Sequence, residues 1–207
     1  TLLWDYEVGS NFMCIMGIGF SSNNHYIASI EELGNILIFD NTKAIPTLIN
    51  TIKTGASYGF SIAFSPNGKE LAVGCSNGKL KTYDISTGQP ISDINAHLNF
   101  VNSVAYSLDG TKIVSGGADD KIKTWDLTGK LLNTYTGHVS DVNFVKFTPD
   151  SKSIISASSD KKIKIWDANS STLIQTISGH RNAVNQIDIS PDGTKIVSAS
   201  SDSTCKI

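Results

Sequence analysis

An aromatic residue followed by aspartate recurs along this chain at nearly constant spacing: Trp4-Asp5, Phe39-Asp40, Tyr83-Asp84, Trp125-Asp126 and Trp166-Asp167. The steps between the aromatics are 35, 44, 42 and 41 residues. A fixed period of about 40 residues restricts a chain to stacked or radial copies of one small unit. Residues 142–177 show what that unit is. Val142-Asn143-Phe144-Val145-Lys146-Phe147 alternates, and Thr148-Pro149-Asp150 turns. Ser153-Ile154-Ile155-Ser156-Ala157 is a second strand, and Ser159-Asp160-Lys161 turns again. Lys162-Ile163-Lys164-Ile165-Trp166 is a third, and after Asn169-Ser170-Ser171 the run Thr172–Ile177 is a fourth. Period-two patterning between turn clusters marks antiparallel strands, and no segment has a helical period. One four-stranded sheet cannot bury both of its faces, so such units must pack face to face around an axis.

A second set of residues keeps the same register. Ala96-His97, Ser115-Gly116-Gly117, Asp119 and Trp125-Asp126 recur as Gly137-His138, Ser156-Ala157-Ser158, Asp160 and Trp166-Asp167. The set begins again as Gly179-His180, Ser190-Pro191-Asp192-Gly193, Ser198 and Asp202. With these residues the chain resembles the WD40 repeat family over its whole length, most strongly from residue 96 onward. The resemblance implies an all-β propeller of four-stranded antiparallel blades. It also implies that His97, Ser115, Asp119 and Trp125 form a structural hydrogen-bond network. His138, Ser156, Asp160 and Trp166 would form a second, and His180, Ser198 and Asp202 most of a third.

His, Ser and Asp together invite a hydrolase reading. A Ser engaged by a Trp and a His is not a free nucleophile, no oxyanion hole accompanies it, and an active site does not recur at a fixed period. The chain also contains no phosphate-binding loop, no nucleophile elbow and no cluster of metal ligands. The expectation is a non-catalytic protein with no catalytic residues, no cofactor, no metal and no small-molecule substrate.

The earlier repeats depart from the pattern. Around Tyr83, Val73 takes the Ser position, Asn77 the Asp position and Gly55 the His position. Around Phe39, Ser29 is kept, but Leu33 and Asn11 replace Asp and His. The expected divisions are 1–10 as the end of one blade, 11–54 and 55–95 as divergent blades, 96–136 and 137–178 as regular blades, and 179–207 as an incomplete one. That is about five blades' worth of a ring that in this family commonly has seven. The first residue is Thr1, so a fragment of a larger propeller is expected, a closed five-bladed ring being the alternative.

In propellers such as G-protein β subunits, partner contacts lie three and five residues past the His position and just before the turn Asp. Carried onto this chain, the first set is Cys14 and Met16, Tyr58 and Phe60, Phe100 and Asn102, Asp141 and Asn143, and Ala183 and Asn185. The second is Ser76, Ala118, Ser159 and Ser201. Cys14, Met16, Tyr58, Phe60 and Phe100 make one side of this rim apolar. Asn102, Asp141, Asn143 and Asn185 make the other side polar. Aromatics and Met in such a patch suit interface anchors. The alternative for Met16 and Phe60 is the core between blades.

Composition removes other classes. The net charge is −2, and Arg181 is the single arginine among 17 basic residues. Nucleic-acid recognition lacks its basic stripe, and an anionic membrane its positive patch. The same shortage removes the Phe-Arg-Arg-Gly motif of phosphoinositide-binding propellers. Ubiquitin-ligase substrate receptors of this family often carry Arg or Lys two residues after the Trp-Asp pair, where this chain has Glu7, Thr42, Ser86, Thr128 and Asn169. Cys14, Cys75 and Cys205 form no closely spaced pair, which suits a reducing compartment. The reading is a cytoplasmic scaffold for protein or peptide partners, the nucleus and cytoskeleton also being open. The alternative is a ligase substrate receptor or the targeting module of a larger enzymatic, cytoskeletal or ciliary protein.

Overall fold

The computed structural model describes residues 14–55 and 58–207. Trp4-Asp5, Asn11 and the strands expected at the start of the chain lie outside the described residues. Five antiparallel sheets follow one another. Sheet I holds β1 (Ile15–Phe20), β2 (Tyr26–Glu31), β3 (Asn35–Asp40) and β4 (Thr47–Lys53). Sheet II holds β5 (Gly59–Phe64), β6 (Glu70–Cys75), β7 (Lys79–Asp84) and β8 (Pro90–Asn95). Sheet III holds β9 (Val101–Tyr106), β10 (Lys112–Gly117), β11 (Ile122–Asp126) and β12 (Leu131–Tyr135). Sheet IV holds β13 (Val142–Phe147), β14 (Ser153–Ser158), β15 (Lys162–Asp167) and β16 (Leu173–Ser178). Sheet V holds β17 (Val184–Ile189), β18 (Ile196–Ser200) and β19 (Cys205–Lys206). The described residues contain no helix.

Short polar side chains fix the turns. Between the first and second strands of sheet III, the Ser107 hydroxyl donates to Asp109 Oδ1 at 2.6 Å, and the same oxygen accepts the Thr111 amide. Ser21 with Asn23, Ser65 with Asn67, Thr148 with Asp150 and Ser190 with Asp192 repeat this bond in the other sheets. Such side chains stand in for a missing strand partner and stop the ladder at a set place. The aspartate of each aromatic-Asp pair among the described residues does the same at the next turn but one. Asp126 Oδ1 accepts the amides of Thr128 and Lys130 and the Thr128 hydroxyl. Asp40, Asp84 and Asp167 cap their turns in like manner. These donors hold the carboxyls of Asp40, Asp84, Asp126 and Asp167 below the ordinary aspartate range.

The sheets then nest. β1 lies beside β5, β5 beside β9, β9 beside β13, and β13 beside β17, so the first strands line the inside of an arc. A separate core fills each gap. Ile30, Ile38, Leu71 and Tyr83 belong to the first, Leu80, Val104, Ile113 and Trp125 to the second, Ile122, Val145, Ile154 and Trp166 to the third. Ile155, Ile163, Val184 and Ile187 make the fourth. Glycine on the second strand permits close approach: a Cβ on Gly116 would come within 2.7 Å of Val142 Cγ1 in the next sheet. A bulge falls at the aromatic position where the third strand meets the fourth in each four-stranded sheet. Bulges there raise the twist the nesting requires. On the outward face of sheet I, Ile18 and Phe20 are exposed.

Candidate functional site

The buried polar residues of sheets III to V come first, because they look most like chemistry. In sheet IV the indole Nε1–H of Trp166 donates to Ser156 Oγ at 2.9 Å. Ser156 Oγ lies 2.8 Å from His138 Nε2, and His138 Nδ1 lies 2.7 Å from Asp160 Oδ2. Sheet III repeats this through Trp125, Ser115, His97 and Asp119, with distances of 2.9, 2.8 and 2.7 Å. In sheet V, Ser198 and Asp202 each lie 2.9 Å from a His180 ring nitrogen.

Only one proton arrangement satisfies every member. Burial pushes the His97 and His138 imidazoles down, against the pull of Asp119 and Asp160, so each ring is neutral. Burial works against ionisation of the two carboxyls as well. The His partner and the amides of Leu98 and Lys121, or of Val139 and Lys162, outweigh it and leave each carboxyl below its ordinary range. Nδ1–H therefore donates to an ionised carboxylate, Nε2 accepts the Ser O–H, and the Ser oxygen accepts the indole N–H. The hydroxyl proton is engaged by the imidazole and one oxygen lone pair by the indole. Ser115 and Ser156 are also wholly buried.

The sheets meet solvent along one edge, where the loops leading into the first strands lie against the turns between second and third strands. A backbone bond joins the two at every sheet. The amides of Glu32, Ser76, Ala118, Ser159 and Ser201 donate at 2.9 Å to the carbonyls of Cys14, Tyr58, Phe100, Asp141 and Ala183. The positions just before the turn Asp thus sit directly on those three residues past the His.

On this edge Tyr58 and Phe100 are each 44% exposed, and Phe60 is half-buried between them. The Tyr58 and Phe60 rings stack with centroids 6.5 Å apart, and Phe60 and Phe100 meet at 5.4 Å. Sheets II and III therefore share a shelf of three rings. Cys14 and Met16 are exposed on sheet I, and Asp141 and Asn185 on sheets IV and V. Asn102 and Asn143 have a further task. Their side-chain amides donate across the gap to the carbonyls of Val142 and Val184 in the next sheet, at 3.1 and 2.9 Å. Spacing alone put them on the edge; the bond between sheets depends on a partner some 40 residues away in sequence. Asn185 instead donates to Ser201 at 2.9 Å. Leu98 and Val139, one residue past the His, are 90% and 78% exposed on the same edge. Their amides are held by Asp119 and Asp160, which turns the side chains outward. An apolar residue directly after His97 and after His138 is the signal for them in the sequence; Arg181 takes that place after His180.

Four stretches of the chain, residues 49–84, 88–126, 129–167 and 171–207, match the family model described as WD domain, G-beta repeat. The chain belongs to the WD40 family. No individual curated protein matches it. Each matched WD40 repeat starts in or near the fourth strand of one sheet and ends with the third strand of the next, so every repeat laces two blades together. β1 to β3, where Leu33 and Phe39 replace the Asp and Trp, precede the first match. WD40 repeats are generally protein-interaction scaffolds. Among the described residues no group of three or more His, Cys, Asp or Glu side chains is arranged to hold a metal. No described helix is long and apolar enough to cross a membrane.

Proposed function

We propose that this WD40 protein is a non-catalytic scaffold that binds a protein or peptide partner on the loop edge of sheets II and III. The observation that carries this reading is the ring shelf of Tyr58, Phe60 and Phe100, partly exposed on a rigid frame. Large aromatic groups held in place before binding lose little conformational freedom on contact, and they dominate interface energetics. Cys14 and Met16 extend the apolar surface toward sheet I, while Asp141 and Asn185 continue it as a polar flank with Asn102 and Asn143 beneath. A partner with an apolar anchor and polar groups beside it fits this order. A cytoplasmic setting goes with three free cysteines, of which Cys14 and Cys205 are exposed.

The test is affinity capture from cell extract with the wild-type chain beside a Tyr58→Ala, Phe100→Ala double variant, both checked for folding by circular dichroism. A shared hot spot predicts that partners retained by the wild type fall by about ten-fold or more. Unchanged recovery from a folded variant refutes the assignment of this edge. Localisation is tested by imaging the tagged chain.

A further inference from the structure

Between sheets I and II, on the side of their fourth strands, lies an open cleft of about 510 Å³, within the range of small-molecule sites. Both of its walls are interior to the chain, β4 on one side and β7 with β8 on the other. Two other gaps show what can occupy this place. Between sheets III and IV, Tyr135 of β12 stands opposite Ile122 and brings its ring edge-on to Trp166, with centroids 5.9 Å apart. A phenol group thus fills that gap. Isoleucine takes the same position in the two earlier sheets, Ile94 opposite Leu80 and Ile52 opposite Ile36. The turn after β11 closes over Ile94, because a Cβ on Gly129 would come within 2.9 Å of Ile94 Cδ1. The matching turn of sheet II settles elsewhere. A Cβ on Gly88 would come within 2.6 Å of the Asn50 side-chain amide, so this turn rests on Asn50 and leaves Ile52 in the floor of the cleft.

Tyr83 makes the rest of the floor. It stands where Trp125 and Trp166 donate to a serine, but Val73 takes the serine's place and offers no acceptor. Tyr83 is 4% exposed, and its hydroxyl has no hydrogen-bond partner among the described residues. Burial pushes this hydroxyl above the ordinary tyrosine range, so the proton stays on the oxygen and can be donated. At the end nearest the loop edge, the Lys81 ammonium donates to the Thr54 carbonyl at 2.7 Å and lies 3.3 Å from Asp93. The charge at that end is therefore met from within the protein and calls for no ionic ligand. What the cleft offers is an apolar floor with an uncommitted hydroxyl in it, and a polar group so buried gains by finding a partner. We propose that the cleft between sheets I and II binds small neutral phenols, with the ring over Ile52, in the place Tyr135 fills between sheets III and IV, and the hydroxyl bonded to Tyr83 Oη. This is independent of the loop-edge reading and involves none of its residues.

The experiment is a titration of the isotopically labelled protein with phenol, followed by amide NMR. Saturable shifts are expected at Ile52, Tyr83, Gly88 and Asp93, with Tyr58 and Phe100 unmoved. Tyr83→Phe deletes only the unpartnered oxygen, so the fold should stand. This variant should bind phenol about ten-fold more weakly, the cost of one buried hydrogen bond. Toluene, which keeps the ring and lacks the hydroxyl, should lose nothing by the same change. Ile52→Tyr supplies the chain's own phenol, as sheet III does, and should lose binding of the free ligand. Absence of saturable shifts at the cleft, equal phenol affinity in the wild type and Tyr83→Phe, an equal loss for phenol and toluene, or unchanged binding by Ile52→Tyr each overturns the proposal. The comparison of wild type with Tyr83→Phe stands even if Ile52→Tyr fails to fold.

Discussion

Ser156→Ala removes a single oxygen, and the structure says how much that oxygen holds. It accepts the Trp166 indole N–H at 2.9 Å and lies 2.8 Å from His138 Nε2. Ser156 is wholly buried, Trp166 is 1% exposed and His138 6%. With the oxygen gone, the indole donor and the imidazole acceptor both stay buried without a partner. Each such group costs about 1–3 kcal/mol. The space left is only the size of a hydroxyl, too small for a water that could bridge them. The side chain itself contributes little packing, so a loss of about 3 kcal/mol is expected, or roughly 6–12 °C in Tm for a chain of this size. The assay is urea unfolding at constant slope, followed by tryptophan fluorescence. The Trp166 indole proton, seen by NMR, should also lose its hydrogen-bonded shift. A cost below about 0.5 kcal/mol, the level of an ordinary surface change, would refute the claim that this network holds the blade together.

The same position in sheet II should respond in the opposite chemical sense. Val73→Ser places a hydroxyl in a core of Leu71, Tyr83 and Ile85. Urea unfolding should show about 1–3 kcal/mol of destabilisation, and a neutral result would mean that sheet II conceals polar partners. Acid should weaken the protein in a defined window. The folded His97 and His138 have pKa values below 6.5, so the unfolded chain binds protons first as the pH falls through 6.5. Stability is full above that point and then drops by up to about 1.4 kcal/mol per pH unit for each histidine until the folded rings titrate. Asp119 and Asp160, whose folded values lie below 3.8, extend the loss to lower pH. Urea midpoints that stay level between pH 8 and 5 would contradict the neutral-ring assignment. Gly116→Val should cost about 1–3 kcal/mol, because its Cβ meets Val142 Cγ1 at 2.7 Å and Val145 Cγ1 at 2.9 Å. A thermal melt at the wild-type midpoint would show that the two sheets are not tightly nested.

The repeat made most of this fold legible, for a local reason. Strand alternation, the Ser-x-Asp turns and the aromatic-Asp caps are all set within about ten residues of one another. Each therefore leaves a mark at short range. The His-Ser-Asp-Trp contacts span 28 residues, yet they could be read because the register returns three times. What could not be read is what happens between sheets. Nothing near Asn102 announces that its amide reaches the Val142 carbonyl, or that Ser61 accepts the Val104 amide at 3.1 Å. The stacking of Tyr58, Phe60 and Phe100 is of the same kind, since it joins residues from different repeats. Sequence placed each ring on an edge; only packing decides whether they meet.

The backbone bond along the loop edge explains how one frame can carry different surfaces, and it makes a last prediction. At all five sheets the bond uses an amide and a carbonyl at 2.9 Å, and no side chain takes part. The side chains that share this position are a cysteine, a tyrosine, a phenylalanine, an aspartate and an alanine. A position that fixes only the main chain tolerates such variety, because substitution changes the surface without breaking the bond that sets the loop. Phe100→Ala should therefore leave the fold intact. The ring gives up its contact with Phe60, worth about 0.5–1.5 kcal/mol as an aromatic pair. It is 44% exposed, so the burial of a half-covered ring goes with it, on the order of 1 kcal/mol. A total of about 2 kcal/mol is expected, short of the cost at Ser156. Hydrogen exchange at the Ala118 amide, which donates to the Phe100 carbonyl, should slow and quicken only with the global stability. Exchange that accelerates at Ala118 alone, or a loss as large as that of Ser156→Ala, would show that the ring supports the loop instead of being displayed by it.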